Sequence, residues 1–372
     1  MAGTDFDVVV VGAGPAGCAA AAAASRWSDS SRVLVVDRAD FPRDKPCGDG
    51  IAAEALDALS DVGFDTDAIV AGYPPIPRLA LRAPGGATVD RAMAQSVRVI
   101  PRAVFDARLV EDVRRRGITV RRHTVRTIEH RTDRVVLDGQ VSAGVVIGAD
   151  GAESVVRRTT PARPNPAATV ALAIRGYVAA DDGRPTQLIT MTRRHWPAYA
   201  WRFPTGEGRA NVGYGELLTN GPLRRSDLLI RLRQLLPDLP AELDDVRAHR
   251  LPLSSGRPGI ADGRVLLVGD AQSLINPLTG EGIFYAVLSG GLAGTAARHG
   301  AGAGAEYRRA LQRRLGRHLR HTTALARLRR FPRLIDAGVR AGARDQRVFD
   351  DLVRFGLADG LLTPRLVAGL RS

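Results

Sequence analysis

The sequence predicts an α/β protein built on a parallel sheet whose segments are scattered along the chain. An antiparallel sheet and a helical C-terminal region complete it. Three observations carry this expectation. A wholly apolar run near the N-terminus passes directly into a glycine-rich turn and an alanine-rich helix. Residues 161–254 alternate polar and apolar positions, the period of half-buried strands. Beyond residue 301, apolar residues recur at helical spacing.

With 372 residues the chain has room for two or three domains and a substantial core. Charged residues at 25% and apolar ones at 45% are ordinary for a globular protein. The net charge of +14 is not ordinary, and it is unevenly placed. Residues 301–372 hold 16 arginines against 6 acids, a net +10 in the last fifth of the chain. No stretch reaches the roughly 18 apolar residues of a membrane span. The run Ala19 to Ala24 is too short, and the opening "MAGTDFD" is acidic where a signal peptide is basic. The expectation is a soluble cytoplasmic protein whose basic C-terminal face is simply solvated, touches anionic lipid at the inner face of a membrane, or meets an acidic partner. Cys18 and Cys47, the two cysteines, make no disulfide framework, and none of the seven histidines stands at metal-ligand spacing. No metal and no nucleic acid are expected. His318 and His321 read as part of a solvated basic helix, and Cys18 as helix packing.

The elements follow in order. Phe6 to Val11 suits a strand buried on both faces. Gly12, Gly14 and Gly17 then stand in G-x-G-x-x-G spacing, with a helix from Pro15 and Ala16. Gly12 permits a tight turn, Gly14 lets backbone approach a pyrophosphate, and Gly17 lets helix pack on strand. The free N–H groups of the helix start favour phosphate. A second strand, Arg32 to Val36, ends in Asp37, where an acid holds ribose hydroxyls, with Arg38 beside it. This unit alone does not separate NAD from FAD.

Two later segments do. A strand at Val145 to Ile147 precedes Gly148, Asp150 and Gly151, and another at Val265 to Val268 precedes Gly269, Asp270, Pro277, Gly280 and Gly282, with a helix from about Ile283. These segments resemble the second and third FAD contacts of para-hydroxybenzoate-hydroxylase-like flavoproteins. The resemblance implies that Asp270 meets the ribityl chain and that the helix near Gly280 points at the pyrimidine end of the flavin. A helix N-terminus stabilises the negative charge of reduced flavin there. Arg102 and Asp106 open another helix, where that superfamily places an arginine beside the cofactor; Arg102 as a solvated helix cap is the alternative. The resulting division is a discontinuous Rossmann-type FAD-binding domain at 1–75, 97–160 and 255–300. An antiparallel β-sheet substrate domain takes 76–96 and 161–254, and a basic helical C-terminal region takes 301–372.

Within the antiparallel sheet, expected to roof the flavin, Tyr199-x-Trp201-x-Phe203-Pro204 resembles the motif that geranylgeranyl reductases place over their isoprenoid channel. Those enzymes also carry a "PCG" loop, matched by Pro46, Cys47 and Gly48. Residues two apart on a strand share a face, so the three aromatics make either a wall for an apolar substrate or core filling. The loop's glycines allow backbone to pass close to the flavin ring, and Cys47 is expected on its substrate side. Two roles stay open for Cys47: proton donor, or small soft residue shaping the pocket. Lys45, the only lysine, and Asp49 flank it. Lys45 is read as neutralising cofactor phosphate, lowering the thiol pKa, or reflecting arginine-rich composition.

The resemblance implies an FAD-dependent reductase that saturates double bonds of a geranylgeranyl, polyprenyl or prenylated-quinone substrate. It would do so by hydride transfer from N5 of reduced flavin with protonation of the second carbon. The electron donor is open between NAD(P)H and a ferredoxin-like protein. The competing readings are an aromatic monooxygenase (hydroxylase) of the same fold and a non-catalytic flavin-holding adaptor. A halogenase is disfavoured by the lack of a lysine beyond the loop.

Overall fold

The structure is a computed structural model and describes residues 5–180, 185–206, 208–219, 223–328 and 332–370. The chain begins β1 (Phe6–Val11), α1 (Pro15–Ala24), β2 (Val33–Asp37), β3 (Gly50–Ile51), α2 (Ala53–Asp61), α3 (Thr66–Val70), β4 (Ile76–Arg82), β5 (Thr88–Val99) and α4 (Arg102–Arg115). It continues β6 (Thr119–Arg122), β7 (Ile128–His130), β8 (Val135–Leu137), β9 (Val141–Gly148), α5 (Val155–Arg158), β10 (Val170–Ala179), β11 (Thr186–Met191), β12 (Ala198–Pro204) and β13 (Arg209–Leu217). The remainder is α6 (Arg225–Leu235), β14 (Asp244–Pro252), β15 (Val265–Leu267), α7 (Ile283–Ala296), α8 (Ala303–Arg327), α9 (Pro332–Arg344), α10 (Gln346–Leu357) and α11 (Pro364–Gly369).

Two sheets organise the described residues. The first runs β6-β2-β1-β9-β8-β7, with β15 also paired to β9. Its core pairs β2–β1, β1–β9 and β9–β15 are parallel, as the unbroken apolar runs require. Helix α1 is buried along its whole length, because alanine and glycine let it lie between the sheet and α7. Contact there is so close that a Cβ at Gly290 of α7 would fall 2.1 Å from the Ala16 carbonyl oxygen.

The second sheet runs β14-β10-β13-β12-β11-β4-β5-β3. Its pairs are antiparallel except β4–β11, which is parallel and so departs from the wholly antiparallel expectation. Along β12 the alternation sends Ala198 and Ala200 to one face, where Leu228 and Leu232 of α6 cover them. That helix was absent from the sequence reading, although its leucines stand four apart. Tyr199, Trp201 and Phe203 occupy the opposite face.

The C-terminal helices are integral to the core. Tyr307, Leu311, Leu315 and Leu319 of α8 join the cluster around α1 and α7, while Val339 of α9 and Phe349 of α10 pack under β4 and β5. His318 corrects the expectation of a solvated face. It is 2% exposed, with Nε2 bonded to the Tyr285 hydroxyl (2.8 Å) and Nδ1 to the Gly360 carbonyl (2.7 Å). Burial pushes its pKa down. Three of the sixteen tail arginines, Arg329, Arg330 and Arg371, lie outside the described residues.

Candidate active site

The turn after β1 is set by backbone. Gly12 has φ +103° and donates its N–H to the Val36 carbonyl (2.7 Å). A Cβ at Gly17 would fall 1.8 Å from the Gly12 oxygen. Asp37, at the end of β2, accepts from the Ala13 and Ala39 amides (2.8 and 2.9 Å). Arg38 beside it is exposed. Gly14 precedes α1 without a side-chain cap. A Cβ there would meet only the Arg43 and Arg102 guanidinium nitrogens, at 3.6 and 3.9 Å.

Those two arginines share one carboxylate. Arg102, 3% exposed, pairs with Asp106 through Nε and Nη2 (2.7 and 2.8 Å), and Arg43 reaches the same carboxylate at 3.1 Å. Burial excludes the solvated-cap alternative for Arg102. Arg43 also stands 3.8 Å from Asp37, and the two guanidiniums together with the uncapped helix start make a setting that suits a diphosphate. Arg43 stands three residues before Pro46, but its pairing runs to a helix 63 residues on and has no local signature.

Lys45 meets Asp270 at 2.8 Å, and His249 Nε2 stands 4.0 Å from the same carboxylate. Burial raises the Asp270 pKa, yet Lys45 and His249 outweigh it and the net direction is down. His249 is pushed down to about 4 by burial and by Lys45, and its buried Nε2 has no hydrogen-bond partner. Gly269 has φ +54° and donates its N–H to Ser289 Oγ (2.9 Å). A Cβ on Gly282, at the start of α7, would lie 3.7 Å from Asp270 Oδ1, so the carboxylate and that helix start are neighbours. Ile283 is the first residue of α7. Glu281, unremarked in the sequence, accepts from the Phe284 amide (3.0 Å); burial lifts its carboxyl to about 7.

Asp150 lies apart from this cluster's chemistry. Its oxygens already accept from Ser154 Oγ (2.5 Å) and from the Val155 and Val156 amides (2.7 and 3.2 Å), which caps α5. Gly151 has φ +79° and faces open space.

The aromatic face of β12 closes over two loops. Tyr199 donates its hydroxyl to the Thr279 carbonyl, and a Cβ on Gly280 would stand 2.7 Å from that hydroxyl. A Cβ on Gly48 would touch Phe203 and Trp201 at 3.4 Å each. The rings are tilted against one another by 52° and 35°, with centroids 5.9 Å apart for Tyr199 and Trp201 and 6.4 Å for Trp201 and Phe203. Trp201 is 6% exposed and donates to Asn211 Oδ1 (2.8 Å). Tyr199, Phe203 and Pro204 are half-buried. Cys47 lies beneath this face, and Asn211 holds its carbonyl oxygen (2.8 Å). Burial pushes its thiol pKa up, opposed by Arg102 and reinforced by the Asp49 carboxylate.

The arrangement can therefore hold a flat cofactor between a phosphate-binding helix start and an apolar roof, with a protonated thiol at the junction. The chain matches the FAD binding domain family over residues 5–190. It is 35% identical over 319 residues to a menaquinone reductase of Mycolicibacterium smegmatis, covering 78% of this chain and 76% of that protein. It is also 35% identical over 314 residues to digeranylgeranylglycerophospholipid reductase 1 of Methanopyrus kandleri, covering 79% and 80%. Among solved structures, a geranylgeranyl bacteriochlorophyll reductase-like protein of Thermoplasma acidophilum superposes with a TM-score of 0.80 at 19% identity, covering 99% of this chain and 96% of that one.

Proposed function

The chain belongs to the FAD binding domain family, in its geranylgeranyl reductase branch, and we propose that it saturates double bonds in the prenyl chain of a lipid or quinone. It is an FAD-dependent oxidoreductase. The residues present fit the cofactor. Gly14 opens onto two guanidiniums at an uncapped helix start, and the buried Nε2 of His249 awaits a partner beside Asp270. In this reading Gly12, Gly14, Pro15, Ala16 and Gly17 hold the diphosphate together with Arg43 and Arg102, and Asp37 holds the ribose. Asp270 with Lys45 and Gly269 faces the ribityl chain, and Gly280, Gly282 and Ile283 face the ring. Bound and reduced, FAD supplies the hydride equivalent for one carbon of the double bond.

The chain's own residues do the rest. The observation that carries the reading is Cys47, a proton-bearing thiol under an aromatic roof. An isolated alkene accepts hydride poorly, so its second carbon must be protonated as charge develops. Cys47 Sγ gives up that proton, Arg102 stabilises the thiolate left behind, and water restores the proton. Tyr199 and Phe203 hold the chain and exclude water, while Trp201, hydrogen-bonded and buried, supports them. The division into a discontinuous FAD-binding domain, a sheet domain and a basic helical region belongs to the same proposal. So does peripheral contact between the exposed arginines of α8 and anionic lipid.

The test is product analysis. The FAD-loaded enzyme, reduced anaerobically, is given geranylgeranyl lipids and prenylated quinones, and products are read by mass spectrometry. Gain of two hydrogens per prenyl double bond is expected. Unchanged prenyl chains across the panel would overturn the reading.

A further inference from the structure

Below the Cys47 loop lies a chain of buried, hydrogen-bonded side chains. The Asn211 amide nitrogen donates both to the Cys47 carbonyl and to Asp49 Oδ2 (2.8 Å each), while Asn211 Oδ1 accepts from Trp201. Tyr177 donates its hydroxyl to the same Asp49 oxygen (2.5 Å). Tyr177 in turn lies under the Arg175 guanidinium (4.7 Å), which pairs with Asp44 and Asp245. The sheet register explains the assembly, since Asn211 of β13 stands opposite Tyr177 of β10 and Phe203 of β12.

Asp49 is unusual in two ways. It is fully buried, yet its Oδ1 has no partner. A bare carboxylate oxygen in a protein interior is costly. Its backbone is also left-handed, φ +61°, which residues bearing a Cβ avoid. The Asn211 amide ties this carboxylate to the Cys47 backbone two residues before it. The nearby Arg102 cation favours the thiolate. A thiol that serves as proton donor must instead keep its proton until the reacting carbon calls for it.

We propose that Asp49 is a positioning residue for Cys47: it fixes the loop through Asn211, and its carboxylate holds the proton on the thiol against Arg102. The charged and titratable groups that face the pair are Arg102 from the start of α4, Lys45 from the loop itself, Arg175 and Tyr177 from β10, and Tyr199 from β12. The inference rests on the reading of Cys47 as proton donor. Its test reads the thiol rather than turnover, so the two fail separately.

The FAD-loaded protein, labelled with carbon-13 at cysteine Cβ, is titrated by NMR, with Cys47 assigned against Cys47→Ser. Wild-type Cys47 is expected to show a main inflection above that of a free thiol and a small one near pH 6, where Asp49 ionises. Asp49→Asn removes the small inflection and lowers the main one by about one unit or more. Tyr177→Phe, which keeps the carboxylate but removes a donor that stabilises its charge, moves the small inflection upward. An unmoved main inflection in folded Asp49→Asn overturns the proposal. If that variant does not fold, a small inflection absent from wild type, or unmoved by Tyr177→Phe, overturns it.

Discussion

Burial raises the pKa of both Cys47 and Glu281. If Cys47 is the proton donor, Cys47→Ser slows prenyl reduction by about a hundredfold or more, because a hydroxyl is a far weaker acid. Cys47→Ala is at least as slow. A serine variant near wild-type rate but with a changed product distribution would leave Cys47 only a pocket-shaping role. Glu281 carries a pH signature. The folded carboxyl keeps its proton up to about 7, whereas the unfolded chain releases it near 4.5. The native state therefore binds more protons in that window, and its stability falls as pH rises through it. The effect is on the order of 3 kcal/mol. Glu281→Gln flattens this slope, as denaturant unfolding of FAD-free protein at pH 5 and pH 7 would show; equal slopes in both proteins would refute it. The Pro46–Cys47–Gly48 loop was legible because its residue types are themselves the signal. Asp49 was seen only as a neighbour, since its burial depends on Tyr177 and Asn211, 128 and 162 residues away.

At the scale of elements, the turn from β1 to α1 separates folding from cofactor binding. Gly17→Ala forces a Cβ into the Gly12 carbonyl, 1.8 Å away, and is expected to destabilise by about 1–3 kcal/mol or more. Gly14→Ala meets nothing closer than 3.6 Å. It should fold normally yet bind FAD at least tenfold more weakly, because its methyl occupies space beside the diphosphate. Thermal unfolding and flavin-fluorescence titration of both variants separate the two effects. Normal FAD affinity in Gly14→Ala would remove that residue from the cradle. This βαβ unit was legible because strand period, glycine spacing and helix composition agree over thirty residues. The parallel pairing of β4 with β11 was not, because it joins residues about a hundred positions apart. Helix α6 did carry a signal in its leucines, obscured by the alternating strands on either side.

For the molecule as a whole, the basic C-terminal region is a structural layer that buries one face and presents arginines on the other. Helical spacing told of the helices but not of what they pack against, which is why His318 was misplaced: its partners Tyr285 and Gly360 come from α7 and the segment after α10. No helix among the described residues is long and apolar enough to cross a membrane. Attachment to anionic vesicles is expected to be weak and to fade with salt, since each basic residue at such a surface contributes about 1 kcal/mol before screening. Equal co-sedimentation with neutral and anionic vesicles would count against it. The central claim is that this fold spends its reduced FAD on prenyl double bonds. Its most direct test is single-turnover oxidation of the photoreduced enzyme without oxygen, followed at the flavin absorbance as a prenyl lipid or quinone is mixed in. The account predicts oxidation that depends on the prenyl chain and slows sharply in Cys47→Ser. Rapid oxidation by an aromatic acid with oxygen, and none by any prenyl compound, would contradict it.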